Sequence, residues 1–282
     1  NRTTRLMAAA PLMHGTSGIN ALHTLTLGGM VATLEGRSFD ADELWTVVAQ
    51  HRLTMLTIVG EAFARPMLEA LDRADAAGRP HDLSSVFQIM SSGVMWSQES
   101  KEAFLEHKPM TLLDSLGSSE SVGQAMQLTR KGQKVADTGR FTLGDTTQVI
   151  TDDGRMVEPG SGEIGRLANK GANPLGYYKD PAKTAETFPT INGIRWSIPG
   201  DYASVEADGT ITLLGRGSVC INSGGEKIYP EEVEEALKTH PAVADCNVVG
   251  LPDDRWGQSV NAVVAIAEGA DVADDDLIAH AR

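Results

Sequence analysis

The 282-residue sequence holds only two cysteines, Cys220 and Cys246. That leaves no basis for a disulfide framework and suits a reducing, cytoplasmic setting. Basic residues are also scarce: 24 Lys and Arg face 38 Asp and Glu, for a net charge of −14. The resulting field repels polyanions, which argues against nucleic acid or an anionic bilayer as the main partner. A polyanionic ligand would need cations gathered locally around it. No long hydrophobic run is present. The longest, from Ala21 to Leu34, is broken by His23, Thr24, Thr26, Gly28 and Gly29, so it is too short and too polar for a transmembrane segment. No signal peptide, internal repeat or low-complexity tract is visible. What remains is 41% hydrophobic and 22% charged, the composition of a folded globular chain with about two domains. The sequence opens on Asn1 and stops inside a helical pattern at Arg282, so a piece of a longer protein is expected.

Two periodicities alternate in the first 130 residues. Met30–Leu34, Met55–Val59, Val86–Met90 and Thr111–Asp114 read as strands, and Asp40–Gln50, Glu61–Arg73 and Ser97–His107 as helices. Asp40 is an N-cap candidate, with Glu43 three residues on. This alternation predicts a parallel sheet covered by helices, with ligands at the carboxyl ends of the strands. From about residue 131 to 216 the pattern changes. Asp153-Gly154, Asn192-Gly193 and Asp208-Gly209 are hairpin signals between short strands at Gln148–Thr151, Glu163–Ala168, Ala203–Glu206 and Thr210–Leu214, which predicts a small antiparallel sheet or barrel. A third region, 217–282, reads as strand (Val219–Asn222), helix (Pro230–Thr239), strands near Ala244–Val249 and Ser259–Ala267, and a helix at Asp274–His280.

Two Gly- and Ser-rich segments follow adjacent strand candidates: Ser91-Ser92-Gly93-Val94-Met95 and Ser115-Leu116-Gly117-Ser118-Ser119-Glu120. Such loops bring backbone N–H groups and small hydroxyls close to a ligand. A lone carboxylate among hydroxyls, Glu120, suits Mg²⁺ bridging to phosphate. The plainer alternative is a pair of chain turns with a solvated Glu120. Asp201 after Gly200 could accept two hydrogen bonds from a sugar diol, and Arg216 after Gly215 could bind hydroxyls or phosphate. A turn cap and a surface ion pair are the alternatives.

The order of motifs carries more than any one of them. Pro11-Leu12-Met13-His14-Gly15, the two loops, Gly162-Glu163-Ile164, Gly176-Tyr177-Tyr178, Gly200-Asp201 and Gly215-Arg216 are followed by Ser223-Gly224-Gly225-Glu226-Lys227-Ile228-Tyr229-Pro230-Glu231-Glu232-Val233-Glu234. In this order, from about Pro11 to Ala267, the sequence resembles the adenylate-forming superfamily of acyl-CoA synthetases, luciferases and adenylation domains, and most closely its fatty-acyl-CoA synthetase branch. The resemblance implies an α/β fold: the C-terminal half of a large domain, with a mostly parallel sheet and a small antiparallel β-barrel, followed by a truncated small α+β domain. It also implies a ligase that activates a carboxylic acid with ATP through acyl-AMP and then forms a thioester with coenzyme A, using Mg²⁺. An enzyme loading a carrier protein, or a non-catalytic nucleotide-binding module, are the alternatives. Self-association is left open.

By the same resemblance, Gly93, Val94 and Met95 form one wall of an adenine slot, and Ser115, Leu116 and Gly117 the other, with Ser118 beside it. Asp114 lies near the adenine amino group. Ser119 meets the α-phosphate, Glu120 holds Mg²⁺, and Asp201 and Arg216 take the ribose. His14 stands between the acyl pocket and the thiol path, with a buried core histidine as the alternative. Ser218 is the hinge of the small domain, and Gly224 and Gly225 border the coenzyme A path. Leu116 replaces a common stacking aromatic, Pro199 a common threonine, and Ser218 a common Asp or Lys. The superfamily's glycine-rich phosphate loop would precede His14, and its adenylating lysine would follow Arg282, so this segment alone is expected not to adenylate. The small residues Gly15, Thr16, Ser17, Gly18 and Ala21 after His14 favour a long or bulky apolar acid, such as a fatty acid or a sterol side-chain acid.

Overall fold

The computed structural model describes residues 3–36, 38–94, 96–133, 139–217, 220–224, 226–253 and 255–281. The expected site residues Met95, Ser218 and Gly225 lie outside the described residues. The chain divides into two compact units, 1–147 with 169–175 and 148–168 with 176–282.

The first unit opens with β1 (Arg5–Ala8), α1 (Gly15–Thr26), β2 (Met30–Ala32), α2 (Ala41–His51), β3 (Met55–Ile58) and α3 (Glu61–Ala76). It continues with β4 (Gln88–Ser92), α4 (Gln98–His107), β5 (Thr111–Ser118), β6 (Ser121–Arg130) and β7 (Arg140–Leu143). The strands lie in the order β2-β1-β3-β4-β5-β6-β7. The first five are mutually parallel, and β6 and β7 return antiparallel. This is the mostly parallel sheet the sequence predicts. Local chemistry sets the helix starts. Asp40 accepts from the N–H groups of Asp42 (2.9 Å) and Glu43 (3.0 Å), while the Glu43 carboxylate turns away to the Glu35 N–H. Ser97 caps α4 through the Ser100 N–H. The core packs Leu44, Trp45 and Val48 of α2, Met67 and Leu71 of α3, and Phe104 of α4 with Leu56, Ile58 and Ile89 of the sheet. Trp45 satisfies its indole N–H on the Met67 carbonyl at 2.9 Å.

The second unit holds β8 (Thr147–Ile150), β9 (Ile164–Asn169), α5 (Pro181–Thr187), the hairpin β10 (Thr190–Ile191) and β11 (Ile194–Arg195), β12 (Asp201–Val205) and β13 (Ile211–Arg216). Asp208-Gly209 turns the chain between β12 and β13, as read from sequence. Of the sheet-or-barrel alternatives, the structure has a small antiparallel sheet in the order β13-β12-β9-β8. Beyond it come β14 (Ile221–Ser223), β15 (Glu226–Ile228), α6 (Pro230–Lys238), β16 (Val243–Asp253), β17 (Gly257–Ile266) and α7 (Asp274–His280). Their strands lie in the order β15-β14-β17-β16. Leu237 of α6 and Leu277 of α7 seal a core over Ile221, Cys246 and Val248. The fold is thus mixed α/β: a large, mostly parallel sheet with helices and smaller antiparallel sheets.

Candidate active site

The site is built where β4 and β5 end. The two strands pair in parallel, with Ser91 opposite Asp114 and Ser92 opposite Ser115. Gly93 follows directly on the end of this ladder, and Leu116 on its other strand. Gly93 has φ +98°, and a Cβ there would stand 3.2 Å and 3.3 Å from the Cε1 and Nε2 atoms of His14. The imidazole packs against this glycine from the start of α1, where Nδ1 of His14 accepts the Thr16 N–H at 3.2 Å. His14 is exposed, which removes the buried-core alternative. Val94 is exposed. Ser91 is buried and accepts the Gly60 N–H at 2.9 Å.

The second segment is not the loop its composition suggests. Ser115, Leu116, Gly117 and Ser118 belong to β5, and the ladder to β6 runs from Thr111–Arg130 to Ser118–Ser121. Only Ser119 and Glu120 form the turn, a two-residue hairpin tip at the carboxyl end of the parallel strands. A Cβ on Gly117 would lie 2.9 Å from the Gly123 nitrogen and 3.1 Å from the Ser121 oxygen, so glycine lets the tip close at the irregularity between Leu116 and Ser118. Ser119 is exposed and Glu120 half-buried. Both line an open cleft of about 560 Å³ with Ser121, Val122, Thr146 and Asn169 and the 171–174 segment. The far wall is internally braced. Asn169 Nδ2 donates to Thr146 Oγ1 (3.2 Å) and Thr147 Oγ1 (3.0 Å), its Oδ1 accepts the Gly171 N–H (2.6 Å), and Asn173 Nδ2 donates to the Asn169 carbonyl (2.9 Å).

Asp114 is not a free acceptor at a ligand edge. It is buried with Lys101, whose Nζ donates to Asp114 Oδ2 at 3.1 Å and to Gln127 Oε1 at 2.6 Å. Gln127 in turn donates through Nε2 to the Arg140 carbonyl. Burial pushes the Asp114 carboxyl above the ordinary carboxylate value, against the opposing pull of the ammonium. This network ties α4, β5 and β6 together behind the tip. Lys101 was legible only as a charge out of place: it lies three and four residues before Phe104 and Leu105, on the buried stripe of α4.

In the second unit, Asp201 and Arg216 face each other across the β12–β13 ladder. Arg216 Nε donates to Asp201 Oδ1 at 3.3 Å, and the Asp201 carboxylate is largely buried while the guanidinium is half-exposed. Glu231, in the first turn of α6, packs on Gly215, and burial raises its carboxyl above the usual value while the Arg216 backbone N–H opposes that rise. Gly224 (φ +62°) stands between β14 and β15, where a Cβ would meet the Trp256 ring at 2.9 Å.

No cluster of three or more His, Cys, Asp or Glu among the described residues could hold a metal alone. The half-buried Glu120 carboxylate beside hydroxyls fits the chemistry of Mg²⁺ that arrives already bound to phosphate.

Residues 1–178 match the family model described as AMP-binding enzyme, and residues 232–282 match that of the AMP-binding enzyme C-terminal domain. The chain belongs to the AMP-binding enzyme family. It is 47% identical over 274 residues to the 3-oxocholest-4-en-26-oate–CoA ligase of Rhodococcus rhodochrous, covering 96% of this chain and 49% of that protein. It is 50% identical over 273 residues to the medium/long-chain-fatty-acid–CoA/3-oxocholest-4-en-26-oate–CoA ligase of Mycolicibacterium smegmatis, with the same coverages. Among solved structures it is similar to the O-succinylbenzoate coenzyme A synthetase of Bacillus subtilis in complex with ATP and magnesium ion, at TM-score 0.79 and 26% identity over 99% of this chain and 55% of that one. The chain spans about half the length of the curated relatives it matches.

Proposed function

We propose that the full-length protein is an ATP-dependent acyl-CoA synthetase for a long or bulky apolar acid, a medium- or long-chain fatty acid or a sterol side-chain acid. The observation that carries the reading is the Ser119–Glu120 tip on its cleft at the carboxyl end of the sheet, in a chain nearly half identical to ligases for such acids. The chemistry follows from the groups present. A carboxylate is a poor electrophile, and transfer of AMP to it gives a good leaving group for attack by a thiol. Bound Mg²⁺ would supply neutralisation of phosphate charge. The residues of this chain would hold and orient: Glu120 the metal, Ser119 the α-phosphate, the walls at Gly93-Val94 and Ser115–Gly117 the adenine, Asp201 and Arg216 the ribose hydroxyls. Leu116 would give the base apolar contact without stacking. Asp114 would act behind this wall through Lys101. Gly224 would border the coenzyme A path. The two cysteines, Cys220 and Cys246, are not joined in a disulfide, which suits the cytoplasm.

The substrate reading draws its support from the relatives. Three of the small residues after His14 are engaged in packing: Thr16 Oγ1 donates to the Ser92 carbonyl, Ser17 meets Thr57 at 3.0 Å, and Gly18 lies against the Leu12 carbonyl. They leave no volume argument. A panel of acids, from acetate through hexadecanoate to a cholestenoic acid, tested for thioester formation with the full-length protein checks the proposal. Turnover with the long and sterol acids is expected. Preference for acetate or an amino acid would overturn the substrate class, and transfer to a carrier protein in place of coenzyme A would overturn the acceptor.

A further inference from the structure

Among the described residues, eight buried side-chain nitrogen and oxygen atoms lack a hydrogen-bond partner. Four of them lie within residues 118–124 of one hairpin: Ser118 Oγ, Ser121 Oγ and both amide atoms of Gln124. Buried polar groups in folded proteins are overwhelmingly paired, so such a concentration calls for an explanation, and of these residues Ser121 lines the cleft. Ser118 and Ser121 are cross-strand partners flanking the tip. Ser121 is 5% exposed and lines the cleft beside Glu120.

We propose that Ser121 is a further ligand-binding residue, its hydroxyl donating to a phosphate oxygen of a magnesium-bound polyphosphate in this cleft. On the opposite wall the Asn169 amide is tied to Thr146 and Thr147, and the Asn173 amide to the Asn169 carbonyl. The Ser121 hydroxyl has no such partner, and its residue lines the cleft. The pairing of groups sets the ligand class. A bare phosphate would meet the Glu120 carboxylate with repulsion. A phosphate bearing Mg²⁺ offers the metal to the carboxylate and an oxygen to the hydroxyl. The motif that carries the family resemblance stops at Glu120, so Ser121 lies outside it. The inference rests on the ATP-dependent reading of the same cleft.

The test is Ser121→Ala and Ser121→Thr in the full-length protein, with initial rates measured against MgATP at saturating acid and coenzyme A. For Ser121→Ala the KM for MgATP should rise about tenfold with the KM for the acid unchanged, and Ser121→Thr should restore it to within about twofold, as expected for one hydrogen bond to a charged oxygen. The melting temperature of unliganded Ser121→Ala should equal or exceed that of the wild type, since the hydroxyl has no partner to lose. A structural role would instead lower it. Magnesium with inorganic pyrophosphate is the second probe, and should raise the melting temperature of the wild type more than that of Ser121→Ala. An unchanged KM for MgATP, or an equal pyrophosphate shift in both proteins, would overturn the inference. If the wild type forms no thioester yet still shows the larger shift, the proposed function falls and the Ser121 site stands.

Discussion

Asp114→Ala removes the partner of a lysine that has almost no access to water. The side chains of Lys101 and Asp114 are 2% and 8% exposed, and their ion pair is 3.1 Å long. After the substitution the ammonium keeps, among the described residues, Gln127 Oε1 and the Trp96 ring, 5.8 Å away. Breaking a buried pair by deleting one member typically costs about 3–5 kcal/mol, because an uncompensated charge stays behind. The reverse deletion, Lys101→Met, should cost less in acid, because an isolated buried carboxyl takes up a proton. Its folded pKa, already raised by burial, then rises further. Stability from the neutral form is complete below the unfolded value, about 4, and is lost as the pH climbs through the raised folded value. Lys101→Met should therefore approach the wild type at low pH and fall away toward neutrality. The double variant Lys101→Met/Asp114→Leu, with no charge to strand, should recover most of the loss. Urea titration read by hydrogen exchange in β5 and β6 isolates this region from the rest of the chain. A cost for Asp114→Ala below about 1 kcal/mol at pH 7 would refute the reasoning, since that is the range of solvent-exposed pairs. So would a double variant as unstable as the two single losses combined.

Glu231→Gln should raise the melting temperature near pH 7 and match the wild type near pH 4. The wild-type carboxyl is raised by burial, so its contribution is present below about 4.3 and lost as the pH rises through the folded value. A melting series from pH 4 to 8 checks this, and a Gln variant less stable than the wild type at pH 8 would contradict it. Gly93→Ala should cost about 1–2 kcal/mol, because an L-residue is strained at this positive φ and its Cβ would press on the His14 ring. Thermal unfolding should show the loss, and an unchanged midpoint would mean the turn relaxes freely.

Much of the scaffold was legible in the residues. Capping at Asp40 and the turns at Asn192-Gly193 and Asp208-Gly209 act through a few neighbouring atoms, so the sequence displays them directly. Helix α7, Asp274–His280, has the predicted bounds. The stretch from Ser115 to Ser118 was misread because Gly and Ser favour turns locally. A cross-strand ladder to Ser121–Arg130 overrides that preference, and β6 itself was hidden by exposed Val122, Met126 and Leu128 alternating with buried Gln124, Gln127 and Thr129. Helix α5, only seven residues long, carries too little periodicity to detect. Asp114 looked like a ligand contact because its partner, Lys101, is thirteen positions away and acquires meaning only once α4 lies against β5. The Ser118–Gln124 cluster has no sequence signal, because an unmade hydrogen bond is a property of the packed structure.

The central claim is that the Ser119–Glu120 tip and Asp201 serve one reaction, transfer of AMP from ATP to a carboxylate. Its most direct measurement is exchange of labelled pyrophosphate into ATP by the full-length protein, with and without a long-chain acid. Exchange should appear only when the acid is present and should fall at least a hundredfold in both Glu120→Ala and Asp201→Ala, roughly the loss of 2–3 kcal/mol of charge-assisted binding from each. Exchange independent of any acid, or wild-type rates in both variants, would contradict the account.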